Sequence, residues 1–360
     1  MKAGLITFHR ADNYGAVLQA SALLKYISKN ICKCELIDYI PNNVGVPNNS
    51  FLRRTLRFGK NTFMFFSKHN QMVKKSRFEK FRRENYVLSK NTYYGDEMIQ
   101  DNPPEYDILI SGSDQILNLT LSKNSISYYL AFGNNVKKVS YASSFGRNDI
   151  SKEEEQAICK YLTKFDAISV REKSAIDLLR KYIDKDIKNV MDPVFLMDKE
   201  EWFKVADEKN LPKQKYIFVY AMENTEVLRK TVDDISQKYK LPVIKVNGGC
   251  IMEGISGKED KKCGPEQFLA YIKNAEFVIT NSFHGMAFSH IFEKNFYAIA
   301  HTRRNSRIED LMNLSGNKSN IISSMDDVDV AKVIDGKTAF LSLREFIIYS
   351  KKYLKDSIMD

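Results

Sequence analysis

Short apolar runs alternate with amphipathic stretches along almost the whole chain. Lys2–Phe8 is predicted to be a strand, apolar residues between Ala16 and Ile27 recur at helical spacing, and Glu35–Asp38 is predicted to be a second strand. This order is typical of a β-α-β unit, in which helices cover parallel strands. Ligands of such sheets bind beyond the carboxyl ends of the strands, so the residues after each strand are the first candidates for function.

The same pattern continues and then restarts near Lys215, which predicts two α/β units. Further strands of the first unit are predicted at Asp107–Ile110, Val139–Ala142, Ala167–Val170 and Val190–Met191. The second unit is predicted to contain strands at Tyr216–Ala221, Val243–Val246 and Phe277–Ile279, a helix at Glu226–Tyr239 and a helix that opens at Pro265. Because 360 residues also exceed one ordinary core, we expect an α/β protein with two Rossmann-like domains facing a central cleft.

The crossing between the two units is expected at Asp192-Pro193 and the turn-like segment 209–212. We therefore predict an N-terminal domain over 1–195, with a helical excursion over 51–85. A C-terminal domain over 213–340 and a final helix over 341–360 complete the expected division.

Composition disfavours several classes of protein. The hydrophobic and charged fractions, 43% and 28%, are those of a folded globular protein. No run approaches the roughly 20 apolar residues of a membrane span, and the amino terminus lacks a secretory pattern. The five cysteines are scattered, so we expect reduced thiols in the cytosol and no metal site. The nicotinamide and P-loop fingerprints, G-x-G-x-x-G and G-x-x-x-x-G-K-[ST], are both absent from the sequence.

The net charge of +10 comes from one segment. Between Phe51 and Arg83 there are eleven Lys or Arg residues and a single acid, Glu79, whereas the rest of the chain is balanced. Seven phenylalanines lie in the same segment, a combination typical of a helix on a membrane surface. The alternative is a helical excursion whose phenylalanines dock on their own domain. No nucleic-acid-binding motif accompanies the charge, so nucleic acid is not expected as a partner.

Polar residues follow several predicted strands. After the first strand, Asp12 and Asn13 either cap the next helix or bind sugar hydroxyls. Ser111–Gln115 follows the third strand, where a helix start would offer N–H groups to an anion. Arg171 follows a further strand and either binds a carboxylate or phosphate, or pairs with an acid such as Glu172.

The segment Thr280–Gly285 joins an apolar strand to an apolar helix and contains the most informative histidine. His284 is expected at the helix start, where backbone N–H groups and the helix dipole favour an anion. A single histidine there is either structural or catalytic. His290, inside the same helix, is expected to be a packing residue. Downstream, Arg303 and Arg307 suit either a phosphate or solvent.

Six of these segments, in this order, resemble the polysaccharide pyruvyl transferase family. They are Asp12–Gln19, Ser111–Gln115, Ser140–Gly146, Ser169–Ser174, Asp192-Pro193 and Thr280–Gly285. The resemblance implies a GT-B-like fold and transfer of pyruvate from phosphoenolpyruvate onto two hydroxyls of one sugar, giving a cyclic ketal and phosphate. It also implies that His284 and Arg171 match the essential histidine and arginine of the family. Leu117 stands where members of the family often carry a tryptophan. This departure puts in question an aromatic surface on which the acceptor sugar would stack, and not the reaction.

This chemistry explains the residue types. Phosphoenolpyruvate becomes electrophilic at C2 when its methylene carbon is protonated, which a histidine can do near neutral pH. Phosphate and carboxylate groups need cations and N–H donors. Besides catalytic His284 and Arg171, the residues expected to bind substrate are Asp12, Asn13, Gly15, Ser113, Asp114, Ser282, Phe283, Gly285, Arg303 and Arg307.

The resemblance also sets the expected partners. Phosphoenolpyruvate is the expected donor, without a metal or other cofactor. The acceptor is expected to be a galactose-type residue of a lipid-linked oligosaccharide in capsule or exopolysaccharide synthesis. The N-terminal domain is the expected acceptor side, and 51–83 is expected to contact the anionic inner face of the cytoplasmic membrane. Two alternatives keep the fold: a GT-B glycosyltransferase whose His284 binds the diphosphate of a nucleotide sugar, and a non-catalytic carbohydrate-binding assembly component.

Overall fold

The computed structural model of the protein describes residues 1–41, 61–209, 211–302 and 306–360, and the side chains of 61–67 are not described. The first half forms a seven-stranded parallel sheet in the order β3-β2-β1-β4-β5-β6-β7. Its strands are β1 Lys2–Ile6, β2 Lys33–Ile40, β3 Leu88–Tyr94, β4 Ile108–Asp114, β5 Lys137–Ser143, β6 Ala167–Val170 and β7 Ile187–Asn189. Its helices are α1 Tyr14–Asn30, α2 Asn61–Asn85, α3 Gly95–Asp101, α4 Lys152–Lys160 and α5 Lys173–Leu179.

The second half forms a six-stranded parallel sheet in the order β10-β9-β8-β11-β12-β13. After α6 (Lys199–Val205) come β8 Ile217–Ala221, α7 Glu226–Tyr239, β9 Val243–Asn247, β10 Lys258–Glu259, α8 Pro265–Asn274, β11 Phe277–Thr280, α9 Phe283–Ile291 and β12 Phe296–Ile299. The chain ends with α10 Ser306–Leu314, β13 Ile321–Ile322, α11 Met325–Asp329 and α12 Gly336–Met359. Short 3-10 helices lie at Ile126–Tyr129, Leu162–Lys164, Pro193–Leu196 and Lys318–Asn320.

These two sheets confirm the predicted α/β fold with two Rossmann-like units. The strand order of each sheet reverses direction at one place, between β1 and β4 in the first sheet and between β8 and β11 in the second. Such switch points open a crevice at the carboxyl ends of the strands. The fold therefore offers two crevices for ligands.

Three local expectations were wrong. Ser111–Asp114 belongs to β4 instead of a loop, because β4 continues to pair with β5 as far as Asp114 and Ser143. No helix begins there: the chain enters turns, and the next helical segment is the 3-10 turn at Ile126–Tyr129. The strand expected at Val190–Met191 is β7, three residues earlier, because Pro193 opens a 3-10 helix that Asp192 caps.

Two helices tie the halves together. In α2, Phe78 and Phe81 are fully buried and Arg77 donates a hydrogen bond to the Lys262 carbonyl in the second half (2.9 Å). These two phenylalanines therefore dock on the protein, as the alternative for the basic segment predicted, whereas 51–60 lies outside the described residues. The last helix, α12, begins at Gly336 instead of 341, because Asp335 caps its first turn. Along the described ranges, every helix is too short or too polar to cross a bilayer.

The interior between the halves is aromatic. Tyr14, in the first turn of α1, stacks on Phe268 of α8 with ring centroids 4.8 Å apart, and its hydroxyl donates to the Cys263 carbonyl (2.9 Å). Phe78 and Tyr220 also contact the Tyr14 ring. Because such rings bury large apolar areas, this cluster holds the two units in one arrangement.

Candidate active site

A cavity of about 750 Å³ lies between the carboxyl ends of the two sheets. The first half lines it with residues that follow β1, β2 and β4 and with one side of α2, and the second half with residues that follow β8 and β11 and with α10. Both switch points therefore open into the same cavity, which is where the topology places a ligand site.

His284 reaches this cavity from the first turn of α9. Ser282 caps that helix by accepting the Gly285 N–H (3.4 Å). Gly285 lets the helix approach β11 closely, since an added Cβ would lie 2.3 Å from Oγ1 of Thr280. The expected helix start is confirmed. His290 is a packing residue as expected, since burial lowers the pKa of its imidazole to about 4.

Gly15 of α1 contacts His284 across the cavity floor. A Cβ built on Gly15 would lie 2.0 Å from Nδ1 of His284 and 2.3 Å from Cε1. A separation of this size is too short for any real side chain, so only glycine leaves room for the imidazole. The sequence predicted that Gly15 binds substrate. In the structure, its missing side chain leaves room for the His284 ring.

Asp192 joins His284 to Arg171. One carboxylate oxygen, Oδ2, accepts from Nη1 of Arg171 at 2.5 Å and lies 3.7 Å from Nε2 of His284. The other accepts the Val194 N–H at 3.0 Å. Burial by itself would raise the pKa of Asp192, but contact with His284 and the charge of Arg171 bring it well below its usual range. Asp192 is therefore a buried anion that links a cation of the first half to the histidine of the second.

Arg171 lies one layer behind the cavity wall. Its guanidinium carbon is 4.9 Å from the centre of the Phe283 ring, and that ring lines the cavity. Arg307, which does line the cavity, approaches the same ring at 5.9 Å. The neighbouring acid expected as an alternative partner, Glu172, instead accepts from the Ser144 hydroxyl and the Phe145 N–H.

Three donor nitrogens of this cluster have no hydrogen-bond partner within the described part of the chain. They are Nε and Nη2 of Arg171 and Nε2 of His284, and all three are buried. Nη2 of Arg171 has an acid, Asp114, at 3.5 Å. Buried polar groups in folded proteins nearly always have partners. His284 lines the cavity, so a bound ligand can complete its side of the cluster, whereas the two Arg171 nitrogens lie behind the wall.

The other expected site residues divide into three groups. Asp12, Asn13, Asp114, Ser282 and Arg307 line the cavity. Asp12 pairs there with Arg82 of α2 (3.0 Å), and Asn13 caps α1 by accepting the Ala16 N–H. Ser113 and Gly285 are buried outside the lining, and the Ser113 hydroxyl donates to the Ala142 carbonyl. Arg303 lies outside the described residues.

Sequence reasoning missed a second charged cluster at the cavity. Arg10, which lines it, donates through Nε and Nη2 to both carboxylate oxygens of Asp38. His9 and Thr92 also contact that carboxylate, at 3.1 and 2.6 Å. The only sequence signal was the position of Arg10 after β1, because Asp38 and Thr92 come from separate strands. Among the residues that the structure covers, no group of His, Cys, Asp and Glu is arranged to hold a metal ion.

Two parallel Rossmann-like sheets with a shared cavity define a GT-B-like protein. Solved structures with this fold include UDP-GlcNAc 2-epimerase of Methanocaldococcus jannaschii in complex with UDP-GlcNAc and UDP, at 14% identity over 97% of this chain and 100% of that one, with a TM-score of 0.50. E. coli heptosyltransferase with ADP is similar at 12% identity over 99% and 100% of the chains, with a TM-score of 0.41. At 14% identity, the likeness to the epimerase concerns the fold alone.

The family is shown by the sequence. The family model for polysaccharide pyruvyl transferase matches residues 13–303, and the chain belongs to this family of transferases. Curated proteins give no significant match. The matched range contains Asn13, Arg171, Asp192 and His284, so it includes the residues that meet at the cavity floor.

Proposed function

We propose that the protein transfers pyruvate from phosphoenolpyruvate onto two hydroxyls of one sugar, forming a cyclic ketal. The observation that carries this proposal is the position of His284 in the cavity lining, where Asp192 joins it to the buried charge of Arg171. A donor with one carboxylate and one phosphate suits such a site, because both groups accept charge-assisted hydrogen bonds.

His284 is the proposed proton donor. Asp192 lies 3.7 Å from its Nε2 and orients the ring, so Nδ1, on the side where Gly15 leaves space, is the nitrogen that we assign to the transferred proton. General acid catalysis by a positioned side chain contributes about 10²–10⁴-fold to rate. Protonation of the methylene carbon of phosphoenolpyruvate then makes C2 open to attack by an acceptor hydroxyl.

The anionic groups of the donor are assigned to the wall around α9. Arg307 and the residues at the start of α9 line the cavity, and helix N-termini favour anions. Arg171 acts from behind this layer: it fixes the Asp192 carboxylate, contributes positive charge and supports the Phe283 ring. We therefore assign Arg171 a positioning role, with His284 and Arg307 in contact with the donor.

The overall reaction balances without a further reactant. The first hydroxyl adds to C2 while C3 gains a proton, and the second hydroxyl displaces phosphate from C2 and closes the ring. One hydroxyl proton thus ends on the new methyl group and the other on the released phosphate. Cations around the departing phosphate stabilise the charge that develops on it.

The acceptor hydroxyls are assigned to the first half, near Asp12 and Asn13. We propose a galactose-type residue of a lipid-linked oligosaccharide, made for a capsule or exopolysaccharide at the inner face of the cytoplasmic membrane. The cation-rich segment over 51–83 would hold the enzyme at that anionic surface. Asp12 and Asn13 fit this role because both line the cavity, where Asn13 also caps α1 and Asp12 pairs with Arg82.

The test combines the purified protein with phosphoenolpyruvate and a lipid-linked galactoside. We expect phosphate release that depends on the acceptor and falls by at least about 100-fold in His284→Ala. His69→Ala, which removes an exposed histidine of α2 outside the cavity lining, is the matched control and should keep full activity. Turnover of a nucleotide sugar without phosphoenolpyruvate consumption would favour the glycosyltransferase instead, and binding without any turnover would favour the assembly component.

A further inference from the structure

We propose that the cavity contains a second acid–base pair, His301 with Glu223, which carries the proton of the first acceptor hydroxyl to the departing phosphate. The proton donor His284 acts on the methylene carbon, so this other proton needs a carrier of its own. The inference rests on the proposed function for the identity of the reaction, and on the geometry of the pair for the assignment of the residues.

His301 lines the cavity together with His284. It follows the last residue of β12 by two positions, and β12 pairs with β11, the strand that leads to His284. The Ala300 N–H donates to the Ile322 carbonyl at 2.8 Å, which fixes the backbone just before His301. Because neighbouring parallel strands end at the same edge of a sheet, the two histidines enter the cavity from adjacent strand ends.

A carboxylate orients the ring of His301. Oε1 of Glu223, two residues after β8, lies 3.3 Å from Nδ1 of His301. Only 11% of the His301 side chain is exposed, so the contact is largely shielded from solvent. A carboxylate beside one ring nitrogen holds an imidazole in one orientation and stabilises its protonated form. His301 is therefore placed to accept a proton and to release it again.

Glu223 is itself held from two directions. Its side chain accepts the Thr302 N–H at 2.8 Å and the Thr302 hydroxyl at 2.7 Å. Its backbone carbonyl accepts from Nδ2 of Asn281 at 2.8 Å, while Oδ1 of Asn281 accepts the Met222 N–H at 2.7 Å. These bonds tie together the chain segments that follow β8, β11 and β12. A carboxylate fixed in this way needs little reorganisation when its partner gains charge.

The two histidines of the lining have separate carboxylate partners. Asp192 lies 3.7 Å from His284, and Glu223 lies 3.3 Å from His301. The proposed reaction moves two protons to different atoms, since one enters at C3 and the other leaves with phosphate. One positioned acid–base group for each transfer is what such a reaction requires.

The proton balance assigns the order of the steps. Neutral His301 accepts the proton of the first hydroxyl as that oxygen bonds to C2, while protonated His284 gives its proton to C3. Protonated His301 then donates to the bridging oxygen as the bond between C2 and that oxygen breaks and phosphate leaves. The second hydroxyl bonds to C2, and its proton returns to His284. Both histidines therefore end as they began, and the products are the ketal and phosphate.

The experiment measures acceptor-dependent phosphate release by His301→Ala, with and without added imidazole. We expect kcat to fall by about 10²–10⁴-fold and the KM of phosphoenolpyruvate to change less. Imidazole should restore part of the lost rate, because it can replace the deleted ring as proton carrier. Glu223→Gln, which removes the charge and keeps the size of the side chain, should lower kcat less than His301→Ala does.

Thr302→Ala is the matched control. It removes the hydroxyl contact to Glu223 but keeps the backbone N–H bond and His301 itself. If His301 only tied two chain segments together, Thr302→Ala and His301→Ala would lose similar amounts of activity. We expect a smaller loss in Thr302→Ala, and no response of that variant to imidazole.

The outcomes separate this inference from the proposed function. A wild-type protein that does not consume phosphoenolpyruvate overturns both. An active wild type overturns the inference alone if kcat is unchanged in His301→Ala, if the loss is confined to KM, or if imidazole restores nothing. His301→Gln covers the case in which His301→Ala is unstable: an amide cannot carry the proton, so full activity in that variant also overturns the inference.

Discussion

The two walls of the cavity differ in how far their side chains are already engaged within the protein. Around α9, the catalytic wall of Ser282, Phe283, His284 and Arg307 is buried and packed against other charged residues. The apolar wall across from it, made by Phe8, Ile40, Pro41, Tyr94 and Leu121 of the first half, includes the exposed side chains of Tyr94 and Leu121, and Phe8 meets Tyr128 edge to face. Close packing suits a small donor whose reacting atoms must be positioned precisely, whereas an open surface suits a larger acceptor.

The largest effect on stability and activity is expected from Asp192→Asn, which removes the carboxylate behind the catalytic wall. Loss of the carboxylate removes the nearer of the two acids beside the buried Arg171 charge and leaves Asp114 at 3.5 Å, which costs up to about 3–5 kcal/mol of unfolding free energy. We also expect kcat to fall by about 100-fold, because His284 loses the group that orients it. Chemical denaturation and steady-state kinetics measure the two effects. A variant with wild-type kcat would mean that Asp192 serves stability alone.

The same substitution has a defined pH dependence. Because the folded-state pKa of Asp192 is lowered, its stabilising contribution is present above the unfolded value of about 3.9 and is lost as pH falls toward the folded value. The stability difference between wild type and Asp192→Asn should therefore be constant near neutral pH and shrink below about pH 4. A difference that grew on acidification would contradict this assignment.

Gly15→Ala should have the next largest effect, because it presses on the catalytic wall from the other half. The added methyl group must displace the His284 ring, and we expect kcat to fall by about tenfold while the KM of the acceptor changes little. Asn30→Ala, at the far exposed end of α1, is the control. An unchanged kcat with a raised KM for the acceptor would contradict this prediction and would indicate that Gly15 binds substrate directly.

The basic segment is expected to have the smallest effect on the reaction itself, because it acts on membrane binding. Neutralising Arg53, Arg54, Lys74 and Lys75 together should weaken binding to vesicles that contain anionic lipid, by about 1 kcal/mol for each charge near the surface. Lys74 contacts the Tyr14 ring at 4.9 Å, so stability must be checked in parallel. A control replaces exposed lysines elsewhere, at Lys213, Lys240, Lys337 and Lys355. Equal vesicle binding by the two variants would remove membrane contact from the proposal.

Sequence periodicity predicted the fold well because strands and helices are local patterns. The helix at Glu226–Tyr239 and the start of α9 beside His284 are confirmed. The strand at Val190–Met191 was displaced because Asp192 and Pro193 form a cap that interrupts the apolar run. The prediction of a loop at Ser111–Asp114 was wrong because these short polar residues continue a strand, which β1 pairs as far as Ser111 and β5 as far as Asp114.

The site was harder to predict because its contacts cross the chain. The motifs identified His284 and Arg171, but neither spacing nor composition indicates that both meet Asp192. Nor does sequence reveal that Gly15 makes room for an imidazole that lies 269 positions later. Leu117, where an aromatic acceptor surface was in question, is buried, and the rings of Phe8 and Tyr94 line the cavity instead.

The last helix has a consequence for how the protein is made. Leu354 and Ile358 of α12 fill the core beneath the first sheet, in the same cluster as Leu5 and Tyr141. Domains usually fold in the order in which the ribosome releases them. Here the core of the first sheet is completed by α12, a helix that follows the second sheet in the chain. The first half therefore cannot complete its core alone. A nascent chain exposes the apolar underside of the first sheet until α12 leaves the ribosome.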